Sequence, residues 1–162
     1  MHDYRADFAD FGELAYLNCA YQGPFPKVTS EAVREAIALK ERPDRIGEEL
    51  YFSLPAEVRS ELGGLLGAPA EWFALTNGAS DGVFAVARGL DWQPGDQVLA
   101  VEGDFPSNFY TWSNLGNRGV ELVSVAEDRL LDRLGPRTRV LSASWVNYNT
   151  GSRLDLVRLG QA

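Results

Sequence analysis

Apolar residues fall in two different rhythms along this chain. In the first part they recur at helical spacing. Val28, Ala32, Val33, Ala36 and Ile37 share one side of a helix that Pro26 can open and Pro43 stops. Gly23-Pro24-Phe25-Pro26 before it is a rigid turn, and residues 14–18 read as a short strand. A second helix is expected from Ser53, a good N-cap, with Pro55 in its first turn and Val58, Leu62, Leu65 and Leu66 in one stripe. Gly67-Ala68-Pro69 ends it. Then short continuous apolar runs alternate with helical stretches: strand 72–76, helix 80–90, turn 91–96, strand 97–101, helix 106–117, strand 120–125, short helix 127–134 and strand 139–144. That alternation predicts an α/β fold with a mainly parallel sheet, flanking helices and right-handed crossovers. Leu154-Asp155-Leu156-Val157-Arg158-Leu159 reads as a further helix beginning. A β-α series normally continues past such a helix, so the sequence reads as the N-terminal piece of something longer.

Charge and composition narrow the function. The 162 residues suit one domain with a real core, without internal repeats or low-complexity linkers. A net charge of −8, with no basic stripe, argues against nucleic acid or anionic membrane as the main partner. No apolar run approaches the roughly 20 residues that span a bilayer. The polar, acidic start is no signal peptide. Cys19 is the sole cysteine, so the expected compartment is a reducing cytoplasm. His2, in the terminus, is the sole histidine. Histidine-dependent nucleophilic triads and histidine-based zinc sites are thereby excluded, and no metal site is expected.

The candidate chemistry lies at the carboxyl ends of the expected strands, where open parallel sheets gather ligands. Thr76-Asn77-Gly78-Ala79-Ser80-Asp81-Gly82 joins an apolar run to an apolar helix. The first turn of a helix offers free N–H groups and a partial positive charge, and small residues let an anion approach them. Plain helix capping is the simpler reading of this turn taken alone. After strand 97–101 comes Asp104-Phe105-Pro106-Ser107-Asn108, where Phe105 either covers a flat ring or is a core aromatic. After strand 139–144 comes Trp145-Val146-Asn147-Tyr148-Asn149-Thr150-Gly151, whose polar groups either bind a ligand hydroxyl or form a turn. Tyr16 to Pro24 is either a substrate loop or a strand and turn, with Cys19 a small buried hydrophobe.

In this order the motifs resemble those of the class V aminotransferases, fold-type-I pyridoxal phosphate (PLP) enzymes that include cysteine desulfurases and isopenicillin N epimerase-like proteins. The resemblance runs from about residue 14 to 156 and covers only the N-terminal part of such an enzyme. It implies part of a PLP-dependent transferase large domain, with residues 1–45 as an N-terminal segment and helix and 46–162 as the start of the PLP-binding domain. Gly78, Ala79 and Ser80 fall on the family's Gly-Ala-Thr turn, which holds the cofactor phosphate. Phe105 falls where an aromatic residue or histidine stacks on the pyridine ring. Asn147 or Tyr148 falls on the polar partner of the cofactor's 3-hydroxyl. Asn18 and Ala20 lie in the segment that resembles the substrate entrance. An amino-acid substrate and a homo-oligomer are implied with them.

The resemblance also implies what this sequence lacks. Family chemistry needs a lysine amine and a carboxylate at the pyridine nitrogen, both from later in the chain. Only Lys27 and Lys40 are present, both before the phosphate turn and on an expected solvated helix. No catalytic residue is therefore assigned, and the chain alone is expected to be inactive. The alternative is a non-enzymatic binding or oligomerisation module that keeps this half-fold. A dinucleotide or nucleotide-triphosphate domain ranks lower, because neither Gly-x-Gly-x-x-Gly nor Gly-Lys-Ser/Thr occurs at residues 76–82.

Overall fold

A computed structural model describes residues 3–161, so His2 lies outside the described residues. The chain separates into two compact units, one ending at Leu75 and the other starting at Thr76.

The first unit is helical. α1 (Lys27–Glu41) starts after Pro26, as expected, and a 3-10 turn at Pro43–Arg45 follows it. The expected stripe meets no core: Val28, Val33 and Ile37 are all exposed. α2 (Leu50–Leu66) begins three residues before Ser53, so Pro55 sits inside the helix and not in its first turn. Ser53 is not the cap because the carbonyls of Gly47, Glu48 and Glu49 already accept the first N–H groups, from Leu50, Tyr51 and Phe52. α2 ends at Gly67, whose φ of +67° is open to glycine, with Ala68 N–H bonded to the Gly63 carbonyl at 3.1 Å. Two expected strands are absent. Residues 14–18 and 72–76 pair with nothing among the described residues; Leu17 is 89% exposed, and Ala70–Trp72 forms a 3-10 turn. An apolar run becomes a strand only where another strand accepts its backbone hydrogen bonds.

The second unit holds the sheet. α3 (Ala79–Gly89), β1 (Gln97–Val101), α4 (Ser107–Ser113), β2 (Glu121–Val125), α5 (Leu130–Arg133), β3 (Thr138–Ser142) and α6 (Leu156–Gly160) follow in order. β1 lies between β2 and β3, parallel to both. Val98, Leu99, Ala100 and Val101 are all buried, as a strand covered on both faces requires. Successive side chains alternate between faces. Val98 joins Ala87 of α3, Trp112 of α4, Trp92, Leu115 and Val120; Leu99 and Val101 join Val125 and Leu130 of α5. Trp92 meets Trp112 edge-on, with centroids 6.2 Å apart, and donates from Nε1 to the Ala87 carbonyl at 2.7 Å. The buried apolar side chains of the described residues all lie in this unit, so the expected core is confined to it.

Two helices come out shorter than the pattern predicts. The helix at 106–117 is α at Ser107–Ser113 and 3-10 at Asn114–Arg118, where Gly119 turns the chain at φ +79°. The helix at 127–134 is a 3-10 turn at Glu127–Arg129 followed by four residues of α5.

The distribution of burial sets an expected contrast in stability. Leu99→Ala should lower the unfolding free energy by about 2–5 kcal/mol, whereas Val28→Ser should change it by less than about 0.5 kcal/mol. Urea denaturation followed through indole fluorescence measures both.

Candidate functional site

α3 is the helix that follows the small-residue turn. No side chain caps it: Gly78 occupies the N-cap position, and the N–H groups of Ala79 and Ser80 have no acceptor among the described residues. Asp81 N–H and Gly82 N–H bond back to the Gly78 carbonyl, which also accepts the Thr76 hydroxyl at 3.0 Å. Gly78 is in extended conformation, at φ 174°, which any residue adopts. A Cβ built on it would meet no atom within 4 Å. Neither backbone strain nor packing within the chain therefore calls for glycine at 78. Glycine adds no side chain to the turn that carries the two free N–H groups. Ser80 is exposed, and its hydroxyl has no partner among the described residues. Asp81 places one carboxylate in the same turn.

Phe105 stands on the loop after β1 and is 49% exposed, which rules out the core-aromatic reading. Its neighbour is Tyr148, 59% exposed, which approaches it edge-on at 5.4 Å between centroids and 83° between planes. These two candidates, 43 positions apart (148 − 105) in sequence, form one aromatic corner. Asn147 is 7% exposed. Its Oδ1 accepts from the N–H groups of Asn149 and Thr150 at 2.9 and 3.0 Å, and its own N–H donates to the Ser152 carbonyl. The turn reading of Asn147 is thus correct as far as its oxygen goes. That oxygen is engaged twice, which leaves the carboxamide N–H groups as the polar capacity Asn147 can offer a ligand.

One residue absent from the sequence-based site joins these pieces. The Asp104 carboxylate accepts from Phe105 N–H at 2.7 Å, Asn108 Nδ2 at 3.0 Å and Ser144 N–H at 2.7 Å. Asn108 Nδ2 also reaches Ser144 Oγ at 3.0 Å, and the Ser142 hydroxyl donates to the Asn108 carbonyl. Burial pushes the Asp104 carboxyl up. Hydrogen bonds from Ser144, Asn108 and the backbone of Phe105 and Ser144 outweigh it and hold the group below its ordinary 3.8. Local spacing could have suggested the bond from Asn108, four residues on at the start of a helix. The bond to Ser144 spans 40 positions and depends on β3 lying beside β1.

The remaining candidates belong to the first unit. Asn18 and Ala20 are exposed on a turn in which the Asn18 carbonyl accepts from Tyr21 and Gln22 N–H. Cys19 is exposed, contrary to its reading as a small buried hydrophobe, because this segment pairs with no strand that would cover it. Phe8, Phe11, Tyr16, Cys19 and Lys27 line an open hollow there, with Phe11 and Tyr16 stacked at 5.7 Å. Lys27 Nζ is bonded to the Ala6 carbonyl at 2.9 Å. The second unit contains no lysine. Among the described residues no cluster of His, Cys, Asp and Glu has the form of a metal site, and no helix is long and apolar enough to cross a membrane.

These groups fit one end of PLP. An uncapped helix terminus with open space before it suits a phosphate, and an exposed aromatic face suits a planar ring. The amine for the cofactor's other end is not among the residues of this unit.

Comparison with known proteins identifies the family and the fold. The aminotransferase class-V profile matches residues 47–162. A probable cysteine desulfurase of Methanothermobacter thermautotrophicus is 27% identical over 98% of this chain and 43% of its own. A solved variant of C-DES, with glycine covalently linked to its PLP cofactor, superposes with a TM-score of 0.86 at 23% identity, over 99% of this chain and 45% of that one. The cystine C–S lyase C-DES with its product cysteine persulfide gives 0.79 at 26% identity, over 90% of this chain and 42% of that one. The chain therefore spans less than half the length of these relatives. With a three-stranded parallel sheet, flanking helices and a family profile over most of its length, the chain belongs to the class-V aminotransferases and has the fold of PLP-dependent transferases.

Proposed function

We propose that this chain forms the phosphate-and-ring end of a PLP site in a cysteine desulfurase-like enzyme that acts on an amino acid. The observation that carries the proposal is the uncapped start of α3, where glycine at 78 serves no need of the chain itself. The N–H groups of Ala79 and Ser80 and the Ser80 hydroxyl hold the phosphate. Phe105 covers one face of the pyridine ring. The Asn147 carboxamide donates to the 3-hydroxyl, and Tyr148 braces Phe105. Asn18 and Ala20 belong to the substrate entrance. When bound, PLP supplies an electron sink for charge developing at the amino acid's α-carbon. The relatives' names point to sulfur-containing amino acids as the substrate class. Lys27 and Lys40, the two lysines of the chain, both precede the phosphate turn and match no cofactor-linking position of the family, so on this reading the chain holds the cofactor without covalent attachment and does not turn substrate over alone.

A second reading has its own support. The exposed apolar positions of α1 and α2 suit a module whose role is association, as a homo-oligomer or with another protein. Light scattering that gives a monomer at every concentration would remove the homo-oligomer.

Two measurements test the first reading. Gly78→Asp should leave thermal stability unchanged within a degree or two, because its side chain enters open space, while PLP affinity read by fluorescence quenching falls about tenfold or more. Equal affinity would overturn the assignment of the phosphate turn. Borohydride reduction of the chain with PLP, followed by mass spectrometry, should give no stoichiometric adduct; a single full-occupancy adduct would overturn the claim that this chain carries no cofactor-linking amine.

A further inference from the structure

We propose that Asp104 is the positioning residue of the site: its carboxylate locks the Phe105 loop to the exit of β3, and so sets the Phe105–Tyr148 corner against which the cofactor ring lies. The proposal rests on the assignment of that corner to the cofactor.

Three bonds carry the argument. Oδ1 of Asp104 takes the N–H of Phe105 itself, which fixes the backbone that bears the ring. Oδ2 takes the N–H of Ser144, the residue that leads through Trp145 and Val146 into Asn147 and Tyr148. Asn108 then ties Oδ2 and the Ser144 hydroxyl together, and its carbonyl is held by Ser142 at the end of β3. One half-buried carboxylate thus spans two strand ends that the sheet holds side by side but does not itself orient beyond Val101 and Ser142. The segment bearing Tyr148 is held by its own turn as well, where Asn147 N–H donates to the Ser152 carbonyl and Val146 bridges to Arg153, but both rings are about half exposed or more and the Asp104 carboxylate bonds the Phe105 side to the β3 side. Bonds to an ionised acceptor are shorter and stronger than neutral ones, so this clamp is stiff where the rings are not. Asp104 is also placed to act without touching the ligand, because its oxygens are occupied by the chain.

Aromatic-labelled NMR of the chain tests this without any cofactor. In the wild type, Tyr148 ring protons should carry ring-current shifts and cross-relaxation from Phe105. Asp104→Ala should remove both, and Asp104→Asn, which keeps one acceptor oxygen, should retain part. Leu130→Ala is the control: it truncates a fully buried side chain that makes none of the clamp's hydrogen bonds, should lower stability at least as much, and should leave the Phe105–Tyr148 signals in place. Should Asp104→Ala not fold, Asn108→Ala removes one leg of the clamp and should weaken the same signals. Persistence of the signals in both variants, or their equal loss in Leu130→Ala, would overturn the proposal. A parallel PLP titration separates the two readings. Wild-type binding with an affinity about tenfold weaker in Asp104→Ala supports both. Unchanged rings with intact wild-type binding sink only the positioning role. Displaced rings in Asp104→Ala, with no wild-type binding, sink only the cofactor assignment.

Discussion

Parallel pairing of β1 on both of its edges is the constraint on which the second unit depends. Its strand pairs are set residue against residue, from Gln97 opposite Glu121 to Val101 opposite Val125, and from Val98 opposite Val140 to Ala100 opposite Ser142. Because the pairs are parallel, the chain must cross over after each strand, and the crossovers place α4 over one face and α5 over the other. The same rule brings the loops that leave β1 and β3 to one end of the sheet. Phe105 and Tyr148 meet there for that reason, and Asp104 can reach Ser144.

What could be read from the sequence divides along the same line. β1 falls at the residues the apolar run predicts, since Val98–Val101 is buried on both faces and its pattern leaves no choice. α1 and α3 also fall close to their predicted limits, because Pro26, Pro43 and the Gly78 turn punctuate them locally. The strands expected at 14–18 and 72–76 have the right composition, but composition cannot supply a partner. The start of α2 was hidden for a related reason. Ser53 looked like a cap, yet backbone carbonyls from Gly47 to Glu49 do the capping, and these carry no residue signature.

The site was legible to a similar degree. Individual candidates could be named because glycine, serine and an exposed aromatic stand out at strand ends. The resemblance groups them around one cofactor, but the direct contact between Phe105 and Tyr148 is not legible, since it exists only once β3 lies beside β1. Asn147 illustrates the mixture. Both the turn and the ligand readings of its carboxamide draw on the same side chain, and the structure assigns the oxygen to the turn while leaving the nitrogen uncommitted. Asp104 lies within the motif, but the sequence alone gives it no role, because its importance lies in a bond to a residue 40 positions away.

The bond from Trp92 to Ala87 gives α3 a mechanical character. The indole holds the last turn of the helix inside the core, at 2.7 Å, while the first turn stands open. A rod clamped at its far end resists a push along its axis and yields more easily to a sideways one. The free N–H groups at the start of α3 therefore stand on a helix whose last turn is tied down by a hydrogen bond and a packed indole. The half-exposed Phe105 and Tyr148 rings, on the segments that follow β1 and β3, lie outside both core clusters and have no comparable anchor in the core.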